Sequence, residues 1–363
     1  MAMEPSATPA MVVDARTVLR NVARLAEYAE THELDVRPHT KTHKSRQIAD
    51  LQMAAGAIGL TAAKVGEAQL MSEVADDILL AYPAIDPART ARLVQLAAHA
   101  TLRVAVDSID GARLVGEAAN RHSATVGILV DLDVGLHRTG VQSPGATLKI
   151  AQYVDSTAGL RLDGLFCYPG HINAPPGDQE PALTAVADQL AETLRLWYDH
   201  GLQARIVSGG STPTAFQSHL VTDYTEIRPG TYVYNDMNTV RGGFCKLEDC
   251  AARIIATVVS TAVPGQVVID AGSKTLTSDL CGPAPQSGHG HVVEYPDARI
   301  AKLSEEHAQI DIRDCQRAPQ LGERLTIIPN HICPCVNLQD SVWWRDEDGA
   351  LQELAIDARG MLI

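Results

Sequence analysis

Between residues 34 and 229 the chain alternates short β-rich runs with stretches of helical periodicity, and this alternation narrows the possible folds more than any other feature. Eight such runs fall at 34–40, 57–61, 77–82, 102–106, 125–131, 162–168, 204–208 and 225–229. Helical segments are expected between them, for example at 45–55, 64–74, 87–98, 109–120 and 181–200. The last carries Leu183, Val186, Leu190, Leu194 and Trp197 at helical spacing. Eight alternating βα units fit a (β/α)8 TIM-type barrel, with a doubly wound open sheet as the second candidate. After Asp236 the texture changes to β-branched runs with Gly and Pro turns, as in 250–263, 265–272, 288–296 and 323–329. The expected division is a barrel over 13–240 and a β domain over 241–363. The extended residues 1–12 are a candidate addition to the β domain.

Composition removes several classes. Apolar residues make up 45% of the 363, but aromatics only 4%, so the core is aliphatic. The formal net charge of −14 argues against nucleic-acid and anionic-membrane partners, which need a basic face. Seven cysteines, an odd number in a long chain, do not suggest a disulfide framework. No basic segment followed by an apolar run opens the chain, and no apolar run reaches ~18 residues. A cytoplasmic protein is expected.

In such a barrel the reactive groups sit at the C-terminal ends of the strands. The first run ends in RPHTKTHK, residues 37–44, where Lys41 lies among Arg37, His39, His43 and Lys44. Cationic neighbours depress a lysine pKa and make it a nucleophilic amine; the plain alternative is a solvated basic loop. The seventh run leads into Ser208, Gly209, Gly210, Ser211 and Thr212, whose backbone and hydroxyls suit a phosphate, or merely a flexible turn. Tyr234, after the eighth run, is a candidate for the same phosphate. Arg138 follows the fifth run as a candidate for a cofactor ring oxygen or a substrate carboxylate. Tyr168 and His171 follow the sixth as acid–base candidates.

Late in the chain, PNHICPCVNLQD places His331 and Cys333 on one face if the segment is extended. Imidazole and thiolate suit zinc, and two protein ligands leave positions for water or substrate. Cys335 is a rival ligand on that face, and the alternative is a buried cysteine beside a structural histidine. His289, His291 and His307 are further candidates without a rank among metal ligand, substrate contact and surface residue.

Together these motifs resemble the D-threonine aldolase and D-serine dehydratase family, pyridoxal-phosphate (PLP) enzymes of fold type III with an alanine-racemase-like barrel and a β domain. RPHTKTHK resembles the family's PLP-lysine signature, DVGLHRTGV its cofactor-contacting arginine segment, SGGST its phosphate loop and PNHIC its metal site. The resemblance runs along nearly the whole chain in the same order. It implies Lys41 as the Schiff-base lysine, His331 and Cys333 as metal ligands, a D-amino acid substrate with a β-hydroxyl, and a homodimer.

PLP is an electron sink for a bond broken at Cα. A metal at the β-hydroxyl permits β-elimination to a keto acid and ammonia, or retro-aldol cleavage to glycine and an aldehyde. Family dehydratases tend to carry HxC and its D-threonine aldolases HxD, so this chain leans to dehydration, with Zn²⁺ ahead of Mn²⁺ or Mg²⁺. An amino-acid racemase, which needs no metal, and a non-catalytic PLP carrier are the other readings.

Overall fold

The computed structural model describes residues 4–281 and 288–363. The chain forms two compact units. One comprises Ala23–Lys41, Arg46–Gly230 and Gly360–Ile363; the other comprises Met1–Val22, Thr42–Ser45 and Thr231–Arg359. Strand β1 (Ala10–Asp14) belongs to the second and is described with it.

The larger unit is the eightfold parallel sheet expected from the alternation. Its strands are β2 (Asp35–Val36), β3 (Leu60–Ala62), β4 (Asp77–Leu80), β5 (Thr101–Val106), β6 (Val126–Asp131), β7 (Leu160–Phe166), β8 (Ile206–Gly209) and β9 (Glu226–Ile227). They pair in the order β2-β9-β8-β7-β6-β5-β4-β3. The ring closes through Ile58 N to Val36 O at 3.0 Å, Thr61 N to Pro38 O at 2.9 Å and a parallel bridge between His39 and Thr61. The first strand is less regular than its sequence suggests. Pro38 has no N–H to give, so beyond Val36 the run 37–39 donates backbone bonds only through Arg37 N to Ile227 O and His39 N to Pro229 O. Every residue of β6 is buried, as expected for a strand covered on both faces.

The helices start where their caps direct. Asp86, Ser108 and Ser143 accept N–H bonds from Arg89, Gly111 and Ala146, opening helices Pro87–Leu96, Ile109–Arg121 and Pro144–Asp155. In two of them proline takes an early position where no donor is needed. On the 20-residue helix Glu180–Asp199, Trp197 is fully buried and its indole N–H donates to Thr147 Oγ1 at 3.0 Å.

Inside the barrel, Leu79, Ala105, Leu129 and Phe166 form an apolar layer from four adjacent strands, with Tyr168 and Ile206 packed against it. Towards the N-terminal ends of the strands the filling is ionic. Arg37 pairs with Glu226 at 2.9 Å and Asp77 at 2.6 Å; Arg103 pairs with Asp77 and, at 2.8 Å, with Asp163.

The second unit is a mixed nine-stranded sheet. Its further strands are β10 (Ala252–Ser260), β11 (Gln266–Ile269), β12 (His291–Val292), β13 (Arg299–Leu303), β14 (Ala308–Asp311), β15 (Arg324–Ile328), β16 (Ser341–Arg345) and β17 (Leu351–Ala355). β1 runs antiparallel to β10 and parallel to β16, so the extended start of the chain is a strand of this sheet. Short helices Met237–Arg241, Ser273–Leu276 and Ile332–Asn337 accompany it. The last corrects an expectation: the HICPC segment is helical rather than extended. Among the described residues no helix is long and apolar enough to cross a membrane.

Candidate functional site

Lys41 follows the first barrel strand, in the 3₁₀ turn Thr40–Thr42. Thr40, fully buried, fixes this turn: its hydroxyl lies 2.5 Å from the Glu67 carboxylate and 3.1 Å from the Thr61 carbonyl. The Lys41 N–H bonds to His39 Nδ1 at 3.3 Å, and the side chain is half-buried. Several of the basic groups expected around its amine have partners of their own. Arg37 is 1% exposed and spends its charge on Glu226 and Asp77. Lys44 belongs to the second unit, where its ammonium donates to the Ala358 carbonyl at 3.3 Å. His43, in the same unit, is buried and accepts from Ser45 N at 3.2 Å. A buried cation left without an acceptor is costly, so these groups turn to their own partners.

The loops at the C-terminal ends of the other barrel strands hold the remaining candidates of this unit. Gly210 takes φ +75, a left-handed conformation that favours glycine. A Cβ on Gly209 would meet the Tyr224 ring at 2.1 Å. Ser211 N donates to Thr214 Oγ1 at 3.1 Å, and the two hydroxyls lie 3.0 Å apart; Thr212 is half-buried. This concave glycine backbone with adjacent hydroxyls fits a phosphate. Ser208 departs from its expected part in that cradle. Its buried hydroxyl donates to Glu226 at 2.5 Å and accepts from Arg228 Nη1 at 2.6 Å, so it is committed to the barrel interior.

Arg138 is exposed, with its guanidinium 4.8 Å from the centre of the Tyr168 ring. Asp131, Leu136, Thr139 and these two line a small cleft. Asp133 shapes the loop. Burial pushes its pKa up, but N–H bonds from His137 and Gly135 and a bond from Gln142 prevail and hold it at about 2. His171 is exposed and packs on Gly135, where a Cβ would lie 2.8 Å from its Nε2.

Two residues of this unit escaped the sequence reading. Arg228 is buried, stacks 3.8 Å from the Phe166 ring centre and donates to the Cys167 carbonyl at 2.7 Å; burial lowers its pKa. Asp131, at the end of β6, is raised to about 6, chiefly by burial. Arg228 carried a signal, an arginine directly after the last barrel strand. Asp131 carried none beyond its strand-end position.

In the second unit His331 caps the short helix Ile332–Asn337 with extended backbone, and Cys333 lies in the first turn. The helical start brings the two side chains together. Burial pushes the Cys333 thiol up, but the His331 hydrogen bond and charge outweigh it and favour thiolate. Reciprocally, Cys333 raises the His331 imidazole to about 9. Thr42 and Thr231 hydroxyls lie 3.3 and 3.6 Å from Cys333 Sγ. A thiolate beside an imidazole is a donor set that fits a borderline-soft divalent cation.

Cys335 is no rival for that position. Two residues along a helix turn it about 200° away, and its thiol donates to the His331 and Leu276 carbonyls at 3.3 and 3.4 Å. His291 is half-buried on β12, its pKa lowered by burial; His289 is lowered likewise, and His307 is exposed. Among the described residues, no three His, Cys, Asp or Glu side chains converge as a metal cluster. Tyr234 is fully buried in this unit, and its hydroxyl has no hydrogen-bond partner, an orphaned group that a ligand acceptor would satisfy.

Comparison with known proteins matches the same order of parts. Residues 13–238 match the family described as alanine racemase, N-terminal domain, and residues 251–344 the putative serine dehydratase domain. The chain is 30% identical to the D-threonine aldolase of Arthrobacter sp, over 97% of this chain and 93% of that one. It is 33% identical to the D-threo-3-hydroxyaspartate dehydratase of Delftia sp. (strain HT23), over 90% of each. A D-threo-3-hydroxyaspartate dehydratase solved as a cysteine-to-alanine mutant in the metal-free form has a TM-score of 0.89 at 28% identity, covering 96% of this chain and 97% of that one. Similar over nearly its full length to an aldolase and a dehydratase alike, the chain belongs to the D-threonine aldolase and D-serine dehydratase family of fold-type III PLP lyases.

Proposed function

We propose that the protein is a metal-dependent D-serine dehydratase-like lyase, eliminating water from a D-3-hydroxy amino acid to give an enamine, which takes up water to give a keto acid and ammonia. The observation that carries this reading is the His331–Cys333 pair, a thiolate donor where a carboxylate would point to aldol cleavage. PLP, when bound, supplies an electron sink for the bond broken at Cα. Lys41 would hold it through its amine and would take the Cα proton. Gly209, Gly210, Ser211 and Thr212 would receive its phosphate, for which Tyr234 is a further candidate donor, while Ser208 supports that loop from within the barrel. Arg138, steadied on the Tyr168 ring, would bind a ring oxygen of the cofactor or the substrate carboxylate. Tyr168 and His171 are the acid–base candidates for the departing hydroxyl.

His331 and Cys333 would hold a divalent cation, whose Lewis acidity would make the β-hydroxyl a better leaving group. Their softness favours Zn²⁺, with Mn²⁺ or Mg²⁺ as alternatives. Retro-aldol cleavage is the second reading, supported by the likeness to an Arthrobacter aldolase. A homodimer in the cytoplasm completes the proposal.

Incubation with D-serine, D-threonine, D-threo-3-hydroxyaspartate and the L-amino acids, with and without zinc or manganese, tests it. Keto acid and ammonia from the D forms support dehydration. Glycine and an aldehyde replace it with the aldolase reading. Activity untouched by chelation, with interconversion of D and L forms, points instead to a racemase.

A further inference from the structure

We propose that Asp279 is a positioning residue that orients the His331 ring so that Nε2 faces the cation; this rests on the metal reading of His331 and Cys333. Asp279 Oδ2 lies 2.7 Å from His331 Nδ1. A carboxylate oxygen accepts, so Nδ1 is the nitrogen that donates to it, and Nε2 is the one that would give its lone pair to a bound cation. Histidine ligands commonly give their second nitrogen to a carboxylate, which fixes the tautomer and the ring plane.

Asp279 is itself held against the segment it orients. Its carbonyl accepts from Asn330 Nδ2 at 2.9 Å, and the same amide reaches the Gly288 carbonyl at 2.8 Å. Asn330 is 1% exposed and directly precedes His331. Two successive residues, 330 and 331, therefore grip the backbone and the side chain of one aspartate. The helix after His331 is pinned separately, because Ile332 N donates to Asp236 Oδ2 at 3.0 Å. With the backbone fixed at both places, the ring keeps the two torsions of its side chain, and the bond from Nδ1 to Asp279 restrains them. Thr277, which takes φ +63 at the end of helix Ser273–Leu276, accepts from Asp279 N through its hydroxyl at 3.4 Å. No sequence motif marks this aspartate, which stands 52 residues before its histidine.

Titration of the full-length protein with Co²⁺, read by thiolate-to-cobalt absorption in the near ultraviolet, together with Zn²⁺ retention against a competing chelator, tests the assignment. Asp279→Asn should weaken binding of both ions by roughly 10–100-fold, with PLP content and melting temperature near wild type. Asp279→Glu should recover part of the loss. A role confined to fold stability would shift melting and leave the Co²⁺ midpoint in place. Wild-type affinity in both Asp279→Asn and Asp279→Ala overturns the proposal. His331→Ala and Cys333→Ala separate it from the underlying reading: if they lose the ion while the Asp279 variants keep it, only the positioning role falls. If they keep the ion, or the wild-type protein takes none, both fall.

Discussion

Replacing Asp131 by Asn should change the dependence of stability on pH, in a direction and by an amount that the structure fixes. Asp131 closes β6 and is 6% exposed. Burial lifts its pKa from 3.8 to about 6. Asp107 adds to the rise, while a bond to Thr139 and the charges of Arg228 and Arg138 oppose it. In the unfolded chain the carboxyl titrates at its ordinary value, so between these two values the folded protein holds the proton and the unfolded one does not. Stability therefore falls as pH rises through this window. The contribution is fully present below about pH 4 and is lost as pH passes about 6. At about 1.4 kcal/mol per pKa unit, it amounts to about 3 kcal/mol.

Asn cannot ionise, yet its amide oxygen still accepts from Thr139. Urea unfolding of both proteins at about pH 4 and pH 7.5 isolates the effect, because all other groups titrate alike in the pair. The variant should gain about 3 kcal/mol relative to wild type between the two pH values, roughly a hundredfold in the unfolding constant. An equal difference at both pH values would mean that the carboxyl is already ionised in the folded barrel, and would refute the reasoning.

Gly210→Ala places a Cβ at φ +75 and 3.1 Å from Ile227 Cβ. It should cost about 1–2 kcal/mol and weaken PLP binding, read by thermal melting and a cofactor titration; an unchanged PLP affinity would remove this backbone from the phosphate site. Lys41→Ala should abolish the visible absorbance of covalently held cofactor near ~420 nm, while circular dichroism stays native. Retention of that band would take Lys41 out of the site.

The barrel was legible because burial on both faces forces continuous apolar runs, and β4 and β6 leave such runs in the sequence. The ionic filling was not. Arg37 and Glu226 stand 189 residues apart, and nothing local distinguishes a charge destined for the barrel interior from one in a surface loop. That gap bears on the reading of Lys41, because its neighbour Arg37 is paired with Glu226 and Asp77 in the barrel interior. The His331–Cys333 pair was found by residue type, but its geometry was wrong. An alternating pattern and a helix cap both bring residues i and i+2 together, and only the helix sends Cys335 away. Asp279 left no trace, because a second partner of a ligand needs a position in space and no motif.

Ser208 offers the sharpest separation of the two accounts of the glycine loop. If its hydroxyl served the phosphate, Ser208→Ala would weaken PLP binding and leave the fold alone. The structure instead puts that hydroxyl between Glu226 at 2.5 Å and Arg228 at 2.6 Å, so Ala would strip one buried donor from the carboxylate and one acceptor from the guanidinium. Each bond to a charged group is worth about 1.5–3 kcal/mol. Arg228 keeps its bond to the Cys167 carbonyl and Glu226 its contact with Arg37, so the net loss should fall near the value of one such bond, about 2 kcal/mol. The urea midpoint of Ser208→Ala should drop accordingly, while PLP affinity changes less than in Gly210→Ala. A large loss of cofactor with an unmoved midpoint would return Ser208 to the phosphate cradle and break the chain of contacts that ties this loop to the ionic interior.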